Sequence, residues 1–133
     1  MKIQPYLSFE GRCDEAIAFY QKAVGAEVQM LMRWKDAPDK SMATAENAER
    51  VMHSSLRIGE STVMMSDGRG SGRPEFKGIS LSLIARDAAE AEKLFKALGD
   101  GGQVQMAMSK TFFSLAFGMV ADKFGVSWMI VVM

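Results

Sequence analysis

Apolar and polar positions alternate at the start of the chain. Ile3, Leu7 and Phe9 stand against Gln4 and Ser8, although Tyr6 falls on the second face and Pro5 has no N–H to give to a ladder. This pattern predicts an edge-tolerant strand over residues 3–9. The period then lengthens: Ile17, Tyr20 and Val24 recur at spacings of three and four, Ala16 and Ala23 widen the stripe, Asp14 stands where an N-cap belongs and Gly25 where a helix stops. A one-sided helix is expected there. Residues 26–34 read as a strand and 35–49 as a polar loop of a length that often carries function. Residues 51–58 and 61–66 read as two strands joined by Gly59-Glu60.

Residues 68–77, with Gly68, Gly70, Gly72 and Pro74, read as a linker, after which the plan repeats. An alternating run at 79–85 is followed by Asp87 with Glu90 three residues on, a capping box. Then come Ala91, Leu94, Phe95 and Leu98 as a helical stripe, and then Gly99. Runs at 103–108, 115–121 and 126–132 supply three more strands. The letters repeat too: Lys22-Ala23-Val24-Gly25 is echoed by Lys96-Ala97-Leu98-Gly99, and Val28-Gln29-Met30 by Val104-Gln105-Met106. The expected architecture is α+β: one domain over residues 1–133, built from two β-α-β-β-β modules (about 1–68 and 78–133). The modules would form a curved, mixed eight-stranded sheet with helices on its outer face and a concave side suited to a ligand.

Composition narrows the function classes. Sixteen Lys and Arg balance sixteen Asp and Glu, so no basic field draws nucleic acid or anionic lipid. No apolar run reaches the roughly 18 to 20 residues of a membrane span. The N-terminus shows no apolar signal-peptide core, which predicts a cytoplasmic protein. Cys13 is the single cysteine, so neither an intrachain disulfide nor a Cys-rich zinc site is available. Its place before a helix invites a lowered thiol pKa, but Asp14 and Glu15 oppose a thiolate, and an inert thiol is expected.

Several segments carry a resemblance: Pro5-Tyr6-Leu7-Ser8-Phe9-Glu10-Gly11, Ala16-Ile17-Ala18-Phe19-Tyr20, Met52-His53, Met64-Met65-Ser66-Asp67, and Phe117 through Trp128. Together they resemble the PhnB-like branch of the vicinal-oxygen-chelate superfamily, which also holds glyoxalase I, extradiol dioxygenases and the bleomycin- and fosfomycin-resistance proteins. The resemblance implies paired β-α-β-β-β modules, frequent homodimers and small-molecule ligands, without one activity. A ubiquinone-methyltransferase label attached to some relatives finds no Gly-rich strand-to-helix fingerprint here.

The resemblance also implies where a divalent metal would sit, on His, Gln or Glu side chains of the first, fourth, fifth and eighth strands. Those strands offer Gln4, then Met64 and Met65 with Asp67 at the end, then serines, then Ser127. No cofactor is therefore expected. A divalent metal, if held, would need an unusual set of Gln4, His53 and Asp67. His53, the one histidine, is the candidate catalytic imidazole and equally a candidate structural residue. Asp67 either faces a ligand or starts a turn, and Asp122 is read as fixing the last tight connection. Tyr6, His53, Met65, Asp67, Phe113 and Trp128 are the candidate ligand pocket, with Trp34, Phe112 and Phe117 as further aromatic walls. Met30, Met32, Met64 and Met65, among twelve methionines, form a candidate soft surface. The leading expectation is a metal-free small-molecule-binding protein. The alternative is a metal-dependent lyase, isomerase or transferase of the same superfamily.

Overall fold

The computed structural model describes residues 1–133. Ten regular elements follow in order: β1 (Tyr6–Ser8), α1 (Cys13–Val24), β2 (Glu27–Arg33), β3 (Val51–Ile58), β4 (Ser61–Ser66), β5 (Leu81–Ala85), α2 (Ala88–Leu98), β6 (Gln103–Ser109), β7 (Phe117–Ala121) and β8 (Ser127–Val132). The strands make two four-stranded mixed sheets, ordered β1-β4-β3-β2 and β5-β8-β7-β6. The two orders are the same order shifted by four strands, so the duplication expected from the letters is present in the topology. In each sheet the first strand runs parallel to the fourth and the others pair antiparallel. The chain divides into two compact units, Met1–Pro74 and Glu75–Met133.

In the first unit α1 lays Cys13, Ala16, Ile17 and Tyr20 against the sheet, where Leu7, Leu56, Val63 and Met65 are also buried. Each of the Leu, Ile, Val and Met side chains so withdrawn from water contributes roughly 1.5–3 kcal/mol. Gly25 ends the helix at φ 67°, the left-handed conformation glycine adopts without cost. The start differs from the expected cap: Arg12 occupies the N-cap without a side-chain bond, and Asp14 lies in the first turn, paired with Arg33 at 2.9 Å. The first helical N–H is capped instead by a distant residue, since Asp67 Oδ1 accepts from the Cys13 amide at 2.8 Å. In the second unit α2 begins as read, with Asp87 accepting from the Glu90 amide at 2.8 Å and Glu90 reaching back to the Arg86 amide at 3.1 Å.

β1 is three residues long because its ladder starts only after Pro5, whose carbonyl accepts from the Met64 amide at 3.0 Å. The hairpin across Gly59-Glu60 forms as expected, with Ile58 opposite Ser61. Both outer strands carry a bulge at the repeated tripeptide. Val28 faces Leu56 while Met30 faces Ser55, and Val104 faces Val120 while Met106 faces Met119, so Gln29 and Gln105 are the extra residues. The bulge re-aims the following methionine in both copies.

Candidate functional site

Cross-strand register sorts the first sheet into two faces, because directly opposed residues share a side. Leu7, Met65, Ser54 and Leu31 form one row; Met65 and Ser54 are buried to 1% and 0% exposure, on the side α1 covers. Tyr6, Met64, Ser55 and Met30 form the next row, on the opposite face, and Met32 with His53 adds a second pair there. Tyr6 is 48% exposed and Met30 41%. On this open face Tyr6 and His53 lie among Met30, Met32, Met64 and Ser55.

That pair is Tyr6 and His53. The Tyr6 hydroxyl lies 3.2 Å from His53 Nδ1, and the two rings stack with centroids 5.5 Å apart and planes 25° apart. The contact has two protonic forms. Either the Tyr6 O–H donates to Nδ1 and leaves Nε2–H as a donor, or Nδ1–H donates to the Tyr6 oxygen and leaves Nε2 as an acceptor with the phenol proton free. One site can thus meet either a donor or an acceptor on a ligand.

The other candidate residues sit elsewhere. Met65 packs in the core beneath the sheet. Asp67 is buried to 3% exposure, and its two oxygens accept from the Cys13 and Val51 amides at 2.8 and 2.7 Å. A carboxylate so engaged clamps the start of α1 to the start of β3. Gln4 is half-buried just before β1. In the second unit Trp128 is buried and donates its indole N–H to Asp122 Oδ2 at 2.9 Å, while Asp122 Oδ1 accepts from the Phe124 and Val126 amides. This is the tight connection expected between the last two strands. Phe113, 49% exposed, stands edge-on to Phe117 at 5.0 Å. An open groove of about 1020 Å³ beside α2, within the second unit, is lined by Phe95, Val104 and Met108 together with helix-surface lysines and carboxylates, and by none of these residues. It lacks an imidazole, thiol or hydroxyl to do chemistry, so the Tyr6–His53 face remains the candidate site.

No group of three or more His, Cys, Asp and Glu side chains is gathered as a metal would need. Around His53 the open face offers hydroxyls and thioethers, its Glu27 is ion-paired with Arg57, and Asp67 is committed to backbone amides. This set does not fit the divalent centre of the metal-dependent superfamily members. Cys13 is fully buried, and burial first, then the neighbouring Asp67 charge, pushes its thiol up to about 12. The thiol is inert as expected, though the main cause is desolvation rather than its neighbours in sequence.

The Tyr6–His53 pair was not legible as a pair, since 47 residues separate its members. The one available signal was alternation: Met30 and Met32, and His53 and Ser55, are spaced to share a face once the register is known.

A family model described as 3-demethylubiquinone-9 3-methyltransferase matches residues 1–131. Protein YjdN of Escherichia coli (strain K12) is 38% identical, over 98% of this chain and 94% of its own. The crystal structure of protein PA1353 from Pseudomonas aeruginosa superposes with a TM-score of 0.86 at 38% identity, covering 99% of this chain and 97% of that one. A putative 3-demethylubiquinone-9 3-methyltransferase, PhnB protein, from Bacillus cereus gives 0.80 at 25% identity over the full length of both chains. The fold extends to the fosfomycin resistance protein FosX from Listeria monocytogenes, with a TM-score of 0.66 at 11% identity, over 100% of this chain and 93% of that one.

Proposed function

Because the chain belongs to the 3-demethylubiquinone-9 3-methyltransferase family, the PhnB-like branch of the vicinal-oxygen-chelate superfamily, we propose that it binds a small organic molecule on the Tyr6–His53 face without a divalent metal. One arrangement carries the most weight: a hydrogen-bonded, stacked Tyr–His pair on a half-exposed surface flanked by Met30, Met32 and Met64. Thioethers adapt to the outline of an apolar or aromatic ligand, and the pair supplies orientation through one donor and one acceptor. His53 is the one imidazole of the chain, which makes it the candidate proton donor or acceptor for a reaction on that face. The protein we propose is a cytoplasmic homodimer of the glyoxalase and bleomycin-resistance type, with Phe113 as an aromatic wall in its second half.

Methyl transfer is not part of the proposal. A methyl donor of nucleotide type needs an open helix N-terminus or a Gly-rich turn to hold its polar groups. Here Asp67 caps the first helical amide of α1 and Asp87 that of the third residue of α2, and Arg86-Asp87 before α2 contains no glycine.

The deciding experiment is native mass spectrometry of protein purified without added metal or chelator, followed by thermal-shift screening of small aromatic and dicarbonyl compounds. A dimer free of divalent metal, stabilised by a compound that His53→Ala and Tyr6→Phe no longer bind, is the expected result, since a ligand of the native state raises its melting point. One divalent ion per chain, lost on mutation of His53 or Asp67, would sink the proposal.

A further inference from the structure

His53 stands between two kinds of neighbour. Tyr6, on β1, reaches its Nδ1 from one side of β3. On the other side lies β2, where Met32 is the direct cross-strand partner of His53 and Met30, two residues away, faces Ser55 on the same surface. With Nδ1 engaged by Tyr6, Nε2 is the imidazole nitrogen left for a ligand, on the face that His53 shares with Met32 and Met30. Opposed residues on neighbouring strands have Cβ atoms roughly 4.5–5.5 Å apart and diagonal ones about 7–8 Å. Two unbranched thioether chains and one ring can converge across that span.

We infer that Met30, Met32 and His53 Nε2 form a binding site for a soft monovalent cation of the Cu(I) class. Thioether sulfur and neutral imidazole are poor ligands for Mg²⁺, Ca²⁺ or Mn²⁺ and good ones for a soft, singly charged d10 ion. Neither thioether carries a proton to displace, and the imidazole would bind through its Nε2 lone pair. Tyr6 orients the ring: Nδ1–H donates to the phenolic oxygen and the lone pair is left on Nε2, the arrangement that metal-binding histidines use.

The duplicated half gives an internal comparison. Val104-Gln105-Met106-Ala107-Met108 repeats the spacing of Val28-Gln29-Met30-Leu31-Met32, bulge included. There, however, Met108 lines the groove beside α2 with Phe95, and Phe117 occupies the place of His53, two residues before the partner of the first methionine. The second half therefore pairs its methionines with no imidazole. Cys13, the one thiol of that unit, is fully buried, and Met64 stands opposite Tyr6 and Ser55 rather than His53.

The test is an anaerobic titration of the full chain with Cu(I) against the chromophoric chelator bathocuproine disulfonate. Wild type and Cys13→Ser are expected to withdraw one equivalent of Cu(I), as is the control pair Met106→Leu with Met108→Leu. Met30→Leu with Met32→Leu is expected to lose at least tenfold in affinity, and His53→Ala likewise. Leucine conserves volume at these sites, so superimposable thermal melts are expected to show that the fold persists. In a 15N-labelled sample with Ag(I), the Nε2 resonance of His53 should move while Nδ1 stays near its apo position. Failure of wild type to compete, or undiminished binding by the Met30 and Met32 double variant, overturns the inference. Neither result bears on organic ligands, which thermal-shift screening tests separately.

Discussion

Asp67→Asn separates a structural carboxylate from a ligand-facing one. Both Asp67 oxygens accept from buried backbone amides, at 2.8 Å from Cys13 and 2.7 Å from Val51. The amide isostere keeps one acceptor and turns an NH2 group against the other N–H, donor against donor. Losing a hydrogen bond to a charged acceptor costs about 1.5–3 kcal/mol, and a buried donor without a partner about 1–3 kcal/mol. The two overlap, and a net loss of about 3 kcal/mol is expected, a large share of the roughly 5–15 kcal/mol that stabilises a domain. At roughly 3–5 °C per kcal/mol for a chain of this size, the melting midpoint should fall by roughly 10–15 °C. Urea denaturation followed by far-UV circular dichroism, with a thermal melt alongside, gives both numbers. A midpoint that stays within the roughly 0.5 kcal/mol of an ordinary surface substitution, together with loss of a bound ligand, would refute the reasoning and return Asp67 to the pocket.

Glu10 organises the Gly-rich segment after β4 by accepting from the Ser71 and Arg69 amides, and the Ser71 bond leads in holding its carboxyl below the usual glutamate range. A depressed folded pKa means its contribution is complete above the ordinary range and is lost as pH falls through the lower folded value. Amide-exchange protection factors at residues 69–72, taken against the intrinsic rate at each pH, should therefore fall on acidification across that window in wild type and already be low in Glu10→Gln. Cys13, with its thiol pushed to about 12, should resist a disulfide reagent at pH 8 in the native protein and react within the mixing time in denaturing urea. Gly118→Ala would place a methyl group against Met108 Sδ and 2.9 Å from a Phe95 ring carbon. Overpacking of this kind should cost about 1–3 kcal/mol in a chemical melt, with the sheet otherwise retained.

The order of elements, both strand–helix alternations and the duplication were written in hydrophobic periodicity and in the punctuation of Gly25, Asp87 and Gly99, because those signals act within a few residues of themselves. The repeated Val-Gln-Met even marked the position of both bulges. Family-specific segments were equally local, which is why the superfamily could be named from them. Which face a strand residue takes is a different matter, since a one-residue change of register moves every side chain to the other side. Met64 and Met65 are neighbours in sequence, yet one lies on the open face beside Tyr6 and the other in the core. Likewise Asp67 became a clamp rather than a free carboxylate through amides 54 and 16 residues away, and Tyr6 met His53 across 47. Contacts between distant segments depend on how the sheet pairs and where its bulges fall, so only the folded chain decides them.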